Sequence, residues 1–195
     1  MPGNLRTFVA LALHEHEQAA LAEWAAGALG GVPELRLVPA PNLHATLVFC
    51  GPLPPPDREQ VVAITREEVG ASVRCVLAPR RVAALGSVVA ATYEVVDGAE
   101  PLLALQSRLA ARLTGAGLAQ PEHRRWLPHV TLARARRGVR PRFGRLEPPA
   151  GDLSPSGVAA YTTVPVERGV AYRPLLLLGH DANGDGTGAA VPGGG

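Results

Sequence analysis

Histidine and threonine stand two residues apart in His44-Ala45-Thr46-Leu47, and the same pattern returns 85 positions later in His129-Val130-Thr131-Leu132. With 6 His, 9 Thr and 26 Leu in 195 residues, chance gives only about 0.04 copies of His-x-Thr-Leu. A lone copy would most simply be a hydrogen-bonded structural histidine, but a duplicate is a signal. Imidazole titrates near neutrality, so two facing rings can hold opposite protonation states, one accepting a proton and one donating it. In-line cleavage of a phosphodiester needs that pairing: a base for the attacking water and an acid for the departing oxygen. A threonine hydroxyl beside each ring can donate a hydrogen bond to a non-bridging phosphate oxygen.

Both copies lie among apolar, β-branched or aromatic residues, which predicts strands. Strand period places His44 and Thr46 on one face and Leu43, Ala45, Leu47 and Phe49 on the other. In the second copy His129 and Thr131 share a face, opposite Val130 and Leu132. One face of each strand packs, and the other presents the chemistry.

The elements around them follow from the same rules. A buried strand is expected at 7–13, then an Ala-rich helix from about Glu15 to Leu29 closed by Gly30-Gly31. His14 and His16 at its start fall on different helix faces and are expected to be exposed. Strands at 35–38 and 44–49 precede a stiff Pro52 to Pro56 loop, after which Asp57 is expected to cap a helix to about Val69. Short strands follow near 74–77, 82–85 and 88–95, then a helix with Pro101 in its first turn, running to about Leu113 and ended by Gly115 and Gly117. This order predicts an α+β fold of two interleaved lobes with mainly antiparallel sheets.

At this point the chain resembles the two-histidine phosphoesterase superfamily, and within it the RNA 2′,3′-cyclic phosphodiesterases, also described as 2′-5′ RNA ligases. The residues that carry the likeness are the first strand Arg6-Thr7-Phe8-Val9-Ala10-Leu11, the motif Leu43 to Gly51, the motif Leu127 to Arg134, and Ser154 with Gly157 to Tyr161 near the end. It spans roughly residues 5 to 178. Cys50 stands where the family usually has Leu and Trp126 where it usually has Phe. A tryptophan-bearing strand is replaced by Ala84-Leu85-Gly86-Ser87.

The resemblance implies a bilobed α+β fold, two similar lobes with helices on the outer faces and a central cleft. It implies His44 and His129 as catalytic, Thr46, Thr131 and Arg134 as phosphate ligands, and Phe8 as a base-stacking wall. It also implies hydrolysis of a terminal RNA 2′,3′-cyclic phosphate to a 2′-phosphate, with His44 as the acid and His129 as the base. The symmetry of the motifs leaves that order open. Within enzymes the alternative is ATP-independent 2′-5′ RNA ligation or 2′-5′ oligonucleotide cleavage; outside them, an RNA-end-binding protein without turnover. Strict alternation sets Arg134 on the face opposite His129, in tension with its role as a phosphate ligand.

Bulk properties narrow the field. The basic residues are all arginine and there is no lysine, which excludes both a lysine-nucleophile ATP-dependent ligase and a P-loop. Neither motif offers metal-ligand spacing, and no cofactor is expected. No apolar run reaches the ~18 residues of a membrane span, and a cytoplasmic monomer is expected. Cys50 and Cys75 have no C-x-x-C spacing and are expected to be free thiols. Net charge is only +2, yet Arg134, Arg136, Arg137, Arg140, Arg142 and Arg145 crowd the segment after the second motif. Arg136, Arg137, Arg140 and Arg142 are therefore candidate contacts for flanking RNA phosphates. A single bilobed domain over 1–180 precedes a Gly-rich tail, 181–195, expected to be disordered. Its Asp181 to Gly186 run opens like a calcium loop but has Pro192 where a Glu is needed.

Overall fold

Leu102, Leu105, Leu109 and Leu113 recur at three- and four-residue spacing and all are fully buried, the stripe of a helix laid on a sheet. Each such leucine contributes about 1.5–3 kcal/mol by leaving water. Leu21, Ala25 and Leu29 form the equivalent stripe of an earlier helix, and Val61, Ile64 and Val69 that of a third. The structure, a computed structural model, describes residues 3–70, 73–122, 124–136, 138–167 and 169–179. The expected tail at 181–195, and with it His180, lies outside the described residues, as do His123 and Arg137.

In chain order the elements are β1 (Leu5–Ala12), α1 (Glu15–Leu29), β2 (Leu35–Leu37), β3 (His44–Leu53), α2 (Pro55–Val69), β4 (Val76–Leu85), β5 (Val88–Asp97), α3 (Ala99–Gly115), β6 (His129–Ala135), β7 (Gly157–Val166) and β8 (Gly169–Gly179), with a 3₁₀ turn at Ala40–Asn42 before β3. All pairings are antiparallel. One half joins β3-β1-β7-β8 and the other β4-β5-β6-β2. The halves meet where β3 runs beside β6, through the single register pair Ala45↔Val130. This is the expected bilobed α+β arrangement.

Two of the three helices, α1 and α3, are exchanged between halves. α1 leaves β1 and packs on β2 and β6, whereas α3 leaves β5 and packs on β3 and α2; α2 lies against β7 and β8. Glu17, buried in the first turn of α1, accepts the backbone N–H of His14 at 2.9 Å and that of Ser154 at 2.5 Å. It thereby ties the helix start to the loop before β7.

Two local expectations are corrected. Asp57 does not cap α2. The helix begins earlier, at Pro55-Pro56 with Pro54 at the N-cap, because proline's fixed φ and missing N–H suit the first turn. The segments expected near 74–77 and 82–85 are one bulged strand, β4, which turns into β5 through Gly86-Ser87; Gly86 has φ +63°, the positive value that the first central position of such a tight turn demands.

Candidate active site at the junction of the halves

The pair Ala45↔Val130 sits at the centre of each motif. The pair runs the two motifs antiparallel past each other, with His44 and His129 each one residue before it and Thr46 and Thr131 each one residue after. The duplicated sequence has become a local two-fold arrangement. Trp126 fastens it from the side, its indole N–H donating to the Thr46 carbonyl at 2.9 Å.

Both rings are held the same way. His44 Nδ1 lies 2.7 Å from the Asn42 carbonyl and His129 Nδ1 lies 2.8 Å from the Leu127 carbonyl, in each case the residue two before. A carbonyl only accepts, so Nδ1 carries the proton and Nε2 is the atom turned to the cleft. In the first motif the Thr46 hydroxyl reaches that Nε2 at 3.1 Å. His44 is also enclosed by aromatic rings: Phe8 stacks on it at a centroid separation of 4.7 Å, Tyr172 meets it edge-on at 5.2 Å, and Tyr161 lies 6.1 Å away. That burial, with the positive charges of Arg134 and His129 nearby and against the Asn42 hydrogen bond, pulls the His44 pKa from the ordinary 6.5 to about 4. His44 is neutral at physiological pH.

Phe8 is therefore not an open wall. It is 4% exposed, packed between His44, Tyr161 and Tyr172, so its faces are spent on the protein. Its place in β1, level with Phe49 of β3 and Tyr161 of β7, fixes it on the catalytic face under the imidazole.

Alternation fails at the same point in both motifs. In β3, Leu47 is an extra residue between the pairs Val9↔Val48 and Ala10↔Thr46. In β6, Leu132 is the extra residue between Val89↔Ala133 and Ala90↔Thr131. Each bulge buries two consecutive side chains, Leu47 with Val48 and Leu132 with Ala133, and returns the next residue to the catalytic face. Phe49, expected in the core, is instead 57% exposed. Arg134, which strict alternation sent to the far face, points along the catalytic side with its guanidinium 3.5 Å from the Tyr172 hydroxyl. The tension over Arg134 is resolved by the bulge.

Asn42 and Tyr172 carry no motif, yet they build the site. The buried Asn42 side chain donates to the Val170 carbonyl at 2.8 Å and accepts the Tyr172 N–H at 3.1 Å. It pins β8 beside the ring that its own carbonyl holds. Of the candidate RNA contacts, Arg136 is exposed and lines a groove with Arg134, while Arg140 and Arg142 are exposed on the segment after β6 without a hydrogen bond or ion pair among the described residues. His14 and His16 are exposed as expected, though His14 lies outside the helix and their rings face each other at 5.4 Å. Cys50 and Cys75 are free thiols whose pKa burial raises. Among the described residues no three His, Cys, Asp or Glu side chains converge on a metal position, and no helix is long and apolar enough to cross a membrane.

A family model for the 2′-5′ RNA ligase superfamily matches residues 14–142, which takes in both motifs and two thirds of the chain. The chain belongs to the 2′-5′ RNA ligase superfamily. These two-histidine phosphoesterases include the solved structures it resembles. Escherichia coli LigT complexed with 3′-AMP superposes with a TM-score of 0.70 at 21% identity, covering 88% of this chain and 95% of that one. Thermus thermophilus TT0787 gives 0.69 at 22% identity, covering 87% and 94%. At such identities the likeness shows the superfamily's fold. No curated protein matches the sequence. As a member of the superfamily the chain is a phosphoesterase, with both His-x-Thr motifs present and facing one cleft.

Proposed function

We propose that this phosphoesterase opens the terminal 2′,3′-cyclic phosphate of an RNA or oligonucleotide to a 2′-phosphate. The observation that carries the reading is the matched tethering of the two imidazoles, each with Nδ1 on the carbonyl two residues before it, on strands paired through the middle of both motifs. In this reading the two imidazoles are the proton carriers, and Thr46, Thr131 and Arg134 are the anion ligands. Escherichia coli LigT has been crystallised with 3′-AMP and with phosphate, ligands of the same chemical class.

In this reading the cyclic phosphate lies between the rings, its non-bridging oxygens on the two threonine hydroxyls and Arg134. His44 is neutral at rest; as substrate enters, the Thr46 hydroxyl turns its single proton from Nε2 to a phosphate oxygen, and the freed Nε2 takes a proton from water as the water oxygen bonds to phosphorus. The P–O3′ bond breaks on the opposite side, and His129 delivers the proton that O3′ needs. This reverses the order implied by the resemblance, because enclosure by Phe8, Tyr161 and Tyr172 makes His44 the poorer store of a proton. The residues required for chemistry need no metal. The test is hydrolysis of an oligonucleotide ending in a 2′,3′-cyclic phosphate, in EDTA, with the product's phosphate located by phosphorus NMR. Turnover to a 2′-phosphate is expected. Joining of ends or binding without turnover would replace this reading with one of its rivals, and a 3′-phosphate product would overturn it.

A further inference from the structure

Arg36 lies on the short edge strand β2, directly opposite Arg134 of β6. Cross-strand partners share a face, so Arg36 stands on the catalytic side with Arg134, one strand farther from the histidines. Two guanidinium groups so placed repel each other, since like charges directly opposite across strands are destabilising. Neither has a carboxylate partner: among the described residues the ion pairs are those of Arg80, Arg108 and Arg112. Arg134 donates only to the Tyr172 hydroxyl, at 3.5 Å. The two arginines border a groove of about 500 Å³, lined also by Pro33, Glu34, Leu35 and Arg136. The guanidinium of Arg36 reaches across toward Gly169 at the start of β8, where a β-carbon would lie 3.6 Å from its nitrogen.

We propose that Arg36, paired across the strands with Arg134, is the ligand of a second phosphate: the internucleotide phosphate one step from the cyclic end of an oligonucleotide. This rests on the functional reading above. With Arg134 turned by its bulge toward Tyr172 and His44, the reacting phosphate occupies its inner side, and Arg36 is the next cation along the groove. A bidentate phosphate is the natural occupant of a guanidinium pair that no carboxylate neutralises, Glu34 lining the same groove without an ion pair to either arginine. The site then prefers a chain end to a cyclic mononucleotide.

The experiment compares wild type, Arg36→Gln and Arg36→Lys on two substrates with the same base: a dinucleotide ending in a 2′,3′-cyclic phosphate, and the 2′,3′-cyclic mononucleotide, which has no second phosphate. Arg36→Gln is expected to lower the dinucleotide-to-mononucleotide preference in kcat/KM about 10-fold, through KM. It should also reduce the salt dependence for the dinucleotide by about one unit of log-log slope, the change expected when one phosphate is no longer neutralised. Arg36→Lys should restore part of the preference. An unchanged preference, or equal decreases on both substrates, overturns the proposal. If wild type turns over neither substrate, the functional reading fails, and the subsite is judged by binding of the 2′-phosphate-ended dinucleotide and mononucleotide. Weaker binding of the dinucleotide alone in Arg36→Gln then sustains it, and equal binding overturns it. Arg36 is exposed on an edge strand, so thermal melting should be near wild type in both variants.

Discussion

Phe49 and Arg134 occupy the same place in the two halves, five residues after the motif histidine, and each reaches the catalytic face through a one-residue bulge just before it. One half thus offers an exposed aromatic ring where the other offers a cation. The electrostatic asymmetry of the site begins there, because Arg134 is one of the charges that hold His44 neutral.

The pH dependence should report that asymmetry. With His44 depressed to about 4, its neutral form persists well into acid, so the acid limb of kcat/KM should fall near 4 and not near 6.5. Removing the charge in Arg134→Ala should move that limb upward while lowering kcat/KM. A wild-type limb near 6.5 would show that the aromatic cage does not act as described.

Loss of either imidazole should be severe. His44→Ala and His129→Ala are expected to reduce turnover by at least ~10²-fold, the scale of a positioned proton carrier. Thr46→Ala and Thr131→Ala should cost about 10- to 10²-fold, since the other donors to the phosphate remain. Steady-state kinetics with parallel melting curves would measure this; wild-type rates in a folded His variant would contradict the mechanism.

The order of roles can be read from the leaving group. A substrate with sulfur in place of the bridging 3′-oxygen departs without needing a proton. His129→Ala is expected to recover most of its activity on it, and His44→Ala to stay impaired. Recovery of His44→Ala instead would restore the order that the family resemblance implies.

Asn42 offers a different test, because its amide joins the 3₁₀ turn to β8 from a buried position. Asn42→Ala leaves the Val170 carbonyl and the Tyr172 N–H without that partner, at a cost of about 1–3 kcal/mol. Denaturant melts should show this destabilisation. The acid limb of kcat/KM should also move, because Tyr172 helps enclose His44; a purely structural residue would leave the limb in place.

The exposed arginines after β6 make the last expectation. If Arg136, Arg140 and Arg142 meet flanking phosphates, neutralising them should flatten the salt dependence for a long cyclic-ended RNA by about one slope unit for each phosphate set free. The effect on a dinucleotide should be smaller. Equal, small changes on both would make the run a solvated loop.

Much of this was legible in the residues. Two copies of a rare pattern at strand spacing disclosed the histidines and threonines, and an Ala-rich segment with proline and glycine boundaries marked out the helices. The bulges were not legible. They depend on how β3 fits β1 and how β6 fits β5, and nothing in Leu47 or Leu132 marks either as the extra residue, so simple alternation puts Phe49 and Arg134 on the wrong faces. The resemblance implies Phe8 as a base-stacking wall, and it carries the ring's place in β1 but not the rings that cover it. The tethers of the two rings are invisible for a simpler reason: they are backbone carbonyls, supplied by Asn42 and Leu127 alike. Tyr172 and Arg36 carry no pattern of their own and join the motifs only through strand pairing.

The exchange of helices has a consequence for the chain as a whole. The sheet containing β6 is covered by a helix that departs from β1, and β3 is covered by one that departs from β5. Each half relies on a helix that leaves a strand of the other, so separated fragments should remain incompletely folded and regain structure only when mixed. Folding and assembly of the cleft are one cooperative event, and a cut in the segment between α2 and β4 would yield two pieces that must find each other before either histidine has a partner.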